Sequence, residues 1–187
     1  MLNTVLGSLS SGVAASTSSY ESIATVTLGS DSNTITFSSI PSTYTHLQFR
    51  ILAKDTAGSV GYHLEWRFNS DGGANYPSHA LQGDGSSATA AGYTGLTYGT
   101  AVNIIATASH NANTYSGVIM DVQDYASTTK NKTVRVFGGY DNNGSGVIGL
   151  DSSVWLSTSA ITSVVFTSDG PNYKSGTSIS LYGIKGA

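Results

Sequence analysis

The sequence predicts an all-β protein, an antiparallel β-sandwich of jelly-roll-like form with about ten strands. Ser, Thr and Gly fill 74 of the 187 positions, a composition typical of strands and tight turns. Apart from Ala, residues that favour helices are scarce, with two Met and two Glu in the whole chain. Apolar residues recur with a period of two in short segments. No segment sustains a helical period, so helices are not expected.

Length and charge restrict the classes of function. A chain of 187 residues can bury one core, and we expect a single domain over residues 20–187. Eight basic and eleven acidic residues give a net charge of −3, which offers no electrostatic footprint for nucleic acid. No apolar run is long enough to cross a membrane. The chain has no cysteine, so its stability must come from packing or assembly. Neither nucleic acid nor a membrane is expected as a partner.

Residues 1–19 differ from the rest because they lack charged and aromatic side chains. They hold no basic residue, so we interpret them as mature sequence and not as an export signal. They form either a flexible leader or an arm that becomes ordered against a neighbouring subunit. We favour the arm, because apolar side chains such as these are many for a mere linker: Leu2, Val5, Leu6 and Val13.

The first two strands follow this segment. Apolar residues alternate over 24–28 and over 35–37, and the turn-forming cluster 29–33 lies between them. This pattern predicts a β-hairpin. Pro41 ends the second strand, because proline cannot donate to the hydrogen-bond ladder.

Segments 47–54 and 62–68 alternate most clearly, and each shows one apolar and one polar face. We expect them to be antiparallel neighbours joined by the linker 55–59. Trp66 is then a core residue, with Phe49 and Leu64 near it. The polar face would pair charges across the two strands, using Arg50, Lys54, Glu65 and Arg67.

The remaining strands are shorter and lie between turn signals. Residues 83–95 form a stretch rich in Gly, Ala and Ser, which we interpret as a long loop. Strands are predicted elsewhere, at 79–82, 101–107, 115–122, 133–137, 147–150, 154–156, 161–167 and 178–184.

No pattern in the sequence predicts catalysis. The chain has no cysteine, no nucleophile elbow and only two Glu, so we expect no enzyme. His46, His63 and Glu65 would bind zinc only if their strands were neighbours, and polar residues on a wet strand face are the preferred interpretation. The run 141–144 lacks the closing Glu of a calcium loop and predicts a plain turn. No metal and no cofactor are expected.

Carbohydrate binding is harder to exclude. The chain has 11 Tyr, and Tyr76, Tyr93 and Tyr98 fall in or beside predicted loops. Exposed rings of this kind can form a platform for a sugar. Tyrosine is equally an ordinary sandwich residue, which packs its ring and keeps its hydroxyl wet.

Several stretches together resemble a known family. They are Tyr-Glu-Ser-Ile-Ala at 20–24, TFSSIPSTYTHL at 36–47, RFNSD at 67–71 with Asn75-Tyr76, Asp124-Tyr125 with KNKT at 130–133, WLSTSAIT at 155–162 and LYGIK at 181–185. In this order they are similar to small virion structural proteins of tailed bacteriophages, especially phages of aquatic bacteria. The resemblance covers residues 20–187 except the stretch 83–95. It implies a jelly-roll-like sandwich without catalytic residues.

The resemblance and the composition together predict a structural role in a virion. The leading hypothesis is a capsid decoration, or cement, protein on the outer surface of the phage head. It would bind the major capsid protein as a homotrimer, with the N-terminal arm docking on that partner. The alternative is a tail or fibre component that contacts a host glycan through its tyrosine-bearing loops.

Overall fold

The computed structural model describes residues 18–186, and this part of the chain forms twelve β-strands and no helix. The strands are β1 Tyr20–Thr27, β2 Thr34–Phe37, β3 His46–Ala53, β4 Tyr62–Phe68, β5 Ser78–Gly83, β6 Ala88–Tyr93, β7 Gly99–Ile105, β8 Ser116–Gln123, β9 Lys132–Asp141, β10 Gly146–Trp155, β11 Val164–Ser168 and β12 Ser178–Ile184. The predicted all-β fold is confirmed, with twelve strands where about ten were expected. Within residues 18–186 there is accordingly no helix that could cross a membrane.

The strands form two antiparallel sheets that pack face to face as a sandwich. The large sheet has eight strands in the order β1-β12-β3-β8-β9-β10-β5-β6. The small sheet has four, in the order β2-β11-β4-β7. Strand β7 of the small sheet packs against β10, β9 and β5 of the large one.

The predicted hairpin of the first two strands is wrong. Strand β1 pairs with β12 in the large sheet, and β2 pairs with β11 in the small sheet. The turn between them carries the chain from one sheet to the other, where Ser32 and Tyr173 exchange backbone hydrogen bonds. Both strands direct their apolar residues into the same core from opposite sides, so a period of two does not distinguish a hairpin from a crossover.

The predicted pairing of β3 with β4 is wrong for the same reason. Strand β3 lies between β12 and β8 in the large sheet, whereas β4 lies between β11 and β7 in the small one. The proposed charge pairs across the two strands therefore do not form. Lys54 is buried instead, and its Nζ donates to the carbonyl oxygens of Asn111 and Ala112 at 2.7 and 3.2 Å.

The stretch predicted as a long loop contains a strand. Residues 88–93 form β6, which pairs with β5 and ends the large sheet. Its small residues have weak strand propensity, so tertiary pairing overrides the local signal. The two segments predicted at 147–150 and 154–156 are parts of one continuous strand, β10.

The core lies between the sheets and is rich in aromatic side chains. Phe49 of β3 meets Phe37 of β2 and Phe166 of β11, with ring centroids 5.7 and 5.1 Å apart and edge-to-face geometry. Trp66 is 1% exposed and Leu64 is fully buried, so the predicted core role of Trp66 is confirmed. Leu2, Val5, Leu6 and Val13 lie outside the described residues, and the docking arm stays a prediction.

Candidate functional site

The outer face of the large sheet carries a row of exposed apolar side chains. Ile119 of β8 pairs with Phe137 of β9, Phe137 with Leu150 of β10, and Leu150 with Leu81 of β5. We call these four residues the apolar row. Each is between 41% and 53% exposed, and none of them faces the core of its own chain.

The apolar row arises because the central strands are apolar on both sides. The inward neighbours Val118, Met120 and Val136 are buried, so the core is already supplied by the other face of the same strands. Residues 118–120 are therefore three apolar residues in succession. In a strand with one wet face the middle residue would be polar. This break in the alternation is the signal in the sequence that could have predicted the apolar row.

A second outward-facing row crosses the same strands, displaced from the apolar row by two residues along each strand. Leu52 of β3 pairs with Gly117, Gly117 with Gly139, Gly139 with Ile148, and Ile148 with Gly83. We call these five residues the glycine row, and the two rows together the docking face. A groove of about 590 Å³ lies over this region, with Phe137 and Ile148 among its lining residues.

Of two neighbouring glycines in this row, the fold requires one and does not require the other. A Cβ at Gly139 would collide with the carbonyl oxygen of Val147, so the strand pairing itself requires a glycine there. A Cβ at Gly117 would meet no atom within 4 Å. The fold of the chain does not explain Gly117. A glycine inside a strand without such a need often marks the close approach of another molecule.

Polar groups border the docking face on both sides. Beyond the apolar row, Gln48 donates to Asp121 at 2.9 Å and Arg135 donates to the Ser152 hydroxyl at 2.7 Å. Beyond the glycine row, Asp141 lies exposed at the end of β9. The face is thus an apolar strip, with Arg50 beside Ile119 at its β3 end, Asp121 and Arg135 beyond one border and Asp141 beyond the other.

The three tyrosines predicted as loop contacts are not brought together. Tyr76 is fully buried, which corrects the expectation of an exposed ring. Its hydroxyl donates to the carbonyl oxygen of Asp71 and accepts from the backbone N–H of Phe68, and burial raises its pKa to about 12. Tyr93 and Tyr98 are half-buried. The sequence placed Tyr76 in a loop correctly, but loop position does not reveal burial.

Tyr98 belongs to a polar cluster on the outside of the small sheet. The Arg67 guanidinium lies 6.0 Å from its ring centroid, and Glu65 shares a hydrogen bond with its hydroxyl. Burial, reinforced by the charge of Asp169, raises the pKa of Glu65 to about 7. These contacts already engage the ring of Tyr98 on its own chain.

The residues considered for zinc are separated by the fold. His46 begins β3 in the large sheet, and its Nδ1 accepts from the backbone N–H of Asp124 at 3.0 Å. His63 lies in the small sheet, and its Nδ1 accepts from Asn103 at 2.9 Å. Burial lowers the pKa of His63. Residues 18–186 contain no group of three or more His, Asp or Glu placed to hold a metal ion.

A buried carboxyl group lies beneath the docking face. Asp151 of β10 is 1% exposed, and its Oδ1 accepts from the backbone N–H of Val102 at 3.1 Å. Its Oδ2 has no hydrogen-bond partner within the part of the chain that the structure describes. Burial raises the pKa of Asp151 to about 6. This residue was not predicted from the sequence, because an aspartate next to serines in a strand is expected to face solvent.

Comparison with known proteins adds no relative to this description. No protein-family model, no curated protein and no solved structure matches the chain. The docking face therefore has to be interpreted from its own residues.

Proposed function

We propose that the protein is a structural component of a virion, a capsid decoration protein that stabilises the phage head from outside. The observation that carries this proposal is the docking face, an apolar strip on a sheet that already has a complete core. Contiguous apolar surface of this kind on a folded protein marks a site that another protein covers. A face with this composition suits an assembly component and offers no groups for chemistry.

The expected partner of the N-terminal arm is the major capsid protein. The arm then attaches the protein to the head, and the docking face makes contacts within the decorating layer. Leu2, Val5, Leu6 and Val13 provide apolar contacts that an uncharged segment can bury on a partner surface. The homotrimer expected from the sequence stays a prediction.

The alternative, a tail or fibre protein that contacts a host glycan, has less support. It relied on three tyrosines at loop positions. Tyr76 is buried, and the ring of Tyr98 already contacts Arg67 on its own chain. A sugar platform needs open ring faces next to polar groups. Capsid decoration is therefore the preferred proposal.

Copy number in purified particles tests the proposal. A decoration protein is present in proportion to the major capsid protein, whereas a tail or fibre component is present in a handful of copies. We expect quantitative mass spectrometry of particles that contain this chain to give a ratio of the order of one copy per capsid subunit or per small group of subunits. A handful of copies per particle, or none, would contradict capsid decoration.

Deleting residues 1–19 tests the task of the arm. The truncated chain should still fold, because β1 begins at Tyr20. Added to undecorated capsids, it should occupy far fewer sites than the full chain does. Equal occupancy would show that attachment uses another surface.

A further inference from the structure

The docking face places bulky side chains and glycines in a fixed alternation. On three strands an apolar residue stands two positions from a glycine of the neighbouring row. The pairs are Ile119 with Gly117 on β8, Phe137 with Gly139 on β9, and Leu81 with Gly83 on β5. All six residues point outward, because residues two apart in a strand share a face. On these three strands a projection in one row therefore lies beside a depression in the other, whereas on β10 both Leu150 and Ile148 project.

We infer that the docking face binds the same face of a second copy of this chain, around a two-fold axis that runs across the strands between the apolar row and the glycine row. This inference deepens the proposed function and rests on it, because it names the contact within the decorating layer. A two-fold contact must be self-complementary, so each projection needs a depression on the same surface. The alternation on β8, β9 and β5 meets that requirement, and on β10 Leu150 of one copy meets Ile148 of the other in an apolar contact.

The position of the axis determines which residues meet. Rotation about it exchanges the two rows, so Phe137 of one copy lies over Gly139 of the other. Ile119 then lies over Gly117, and Leu81 lies over Gly83. Two sheets packed with their strands aligned are about 10 Å apart, a spacing that interdigitating side chains fill. The glycine at 117, which the fold of one chain does not need, leaves room for Ile119 of the second copy.

The same axis brings opposite charges together. Arg135 lies two positions before Phe137 on β9, and Asp141 lies two positions after Gly139 on the same strand. The rotation therefore places Arg135 of each copy beside Asp141 of the other. Two such pairs border the apolar contact and favour this orientation over one in which like charges meet.

The size of the face is adequate for a stable pair. Six neighbouring strands from β3 to β6 span about 24 Å, and four outward rows span about 20 Å along them. The projected area is thus about 500 Å², and accessible area exceeds projected area on a surface with side chains. Two copies together would bury about 1,000 Å² or more, which is the lower end of the range for specific protein interfaces.

Sedimentation equilibrium of the full-length protein tests the inference. The wild-type chain should have the mass of two copies at micromolar concentration, in place of the homotrimer that the sequence predicts. Gly117→Val should raise the dissociation constant about ten- to hundredfold, because a Cβ at this position meets no atom of its own chain within 4 Å but the valine collides with Ile119 of the second copy. The matched control is Gly58→Val, where a Cβ also meets no atom within 4 Å but lies off the face. It should leave the dissociation constant unchanged.

A charge exchange gives a second readout that a merely structural effect would not produce. Arg135→Asp alone should weaken the pair about tenfold, because two carboxylates then meet at each border. The double variant Arg135→Asp with Asp141→Arg should restore wild-type association, since the opposite charges again face each other. Only an interface between two copies of this chain allows that rescue.

Three outcomes would overturn the inference. They are a wild-type chain that stays monomeric at high concentration, a mass of three copies, or association that Gly117→Val leaves intact. A monomeric wild type whose binding to undecorated capsids is lost in Gly117→Val would show that a different protein covers the face. The proposed function would then stand without the inference. Sedimentation tests the two-fold contact on the isolated protein, and copy number tests capsid decoration on particles. Failure of the inference is therefore distinguishable from failure of the proposed function.

Discussion

Two halves of one sheet face differ in what they offer to their surroundings. On the β1 and β12 side, hydroxyl groups face outward in pairs. Thr25 donates to Ser180 at 2.9 Å, and Thr27 and Ser178 share a hydrogen bond of 3.0 Å. On the β8 to β5 side, the corresponding positions hold the apolar row. Backbone pairing is antiparallel throughout, so the side chains alone make the difference.

This difference indicates that the hydroxyl half is suited to contact with water, whereas the apolar half is suited to contact with another molecule. Hydroxyl groups exchange hydrogen bonds with water at little net cost. Hydrocarbon exposed to water costs about 25 cal/mol for each Å². Both halves cover the same core, and the apolar half contributes nothing further to it. The apolar residues on that half are therefore best explained by a contact outside the single chain.

The largest expected effect compares the two sides of the sheet itself. Phe49→Ala should lower the free energy of unfolding by about 3–5 kcal/mol, because a fully buried ring leaves a cavity. Phe137→Ala on the outer face should change it by less than about 1 kcal/mol in dilute solution, where single copies prevail. Urea denaturation measures both. A similar loss in the two variants would mean that Phe137 is part of the core.

The next effect concerns the carboxyl group beneath the apolar half. The pKa of Asp151 is about 6 in the folded chain and close to the ordinary 3.8 when unfolded. Between these two values the folded chain binds more protons, so stability falls as the pH rises through this window, by about 3 kcal/mol in all. Asp151→Asn should remove that part of the slope between pH 4 and pH 7.

Urea denaturation at several pH values measures the slope. The matched control is Asp121→Asn, because Asp121 is a carboxylate on the outer side of the same sheet. If Asp151→Asn has the same slope as this control, the buried carboxyl group is not the source. Glu65, whose pKa is also raised, would then be the group to replace next.

A smaller effect has the opposite sign. Gly117→Val should stabilise a single copy by about 0.5–1 kcal/mol, because valine favours strands and glycine weakens them. A Cβ at this position meets no atom of its own chain within 4 Å. Thermal unfolding in dilute solution measures this gain, and lost stability would show that the fold itself needs the glycine. A variant whose single copy is more stable but whose copies associate more weakly would show that Gly117 serves the contact between copies and not the fold of one chain.

The smallest effect belongs to the hydroxyl half. Thr25→Ala removes one cross-strand hydrogen bond and should cost about 0.5 kcal/mol or less. It should leave association between copies unchanged, because that half lies outside the docking face. Loss of association in Thr25→Ala would extend the contact across the whole sheet and remove the contrast between the halves.

Local patterns predicted much of the secondary structure and some of the core. Strand β12 has the predicted bounds, and Trp66 is buried as expected. Strand β6 was missed because Ala and Gly carry little strand signal, and only its pairing with β5 makes it a strand. The apolar row was not predicted because its residues are far apart in the chain: Leu81, Ile119, Phe137 and Leu150. They become neighbours only through strand pairing.

Alternation in the sequence determined by itself that this chain forms strands, and which side of most strands faces the core. That is possible because successive residues of a strand point to opposite sides, whatever the neighbours are. Tertiary structure decided which strands pair, that β1 and β2 belong to different sheets, and that Ile119 lies beside Phe137. These relations depend on contacts between distant segments, and a period of two is the same for every partner. The row of exposed apolar side chains therefore exists only in the folded sheet.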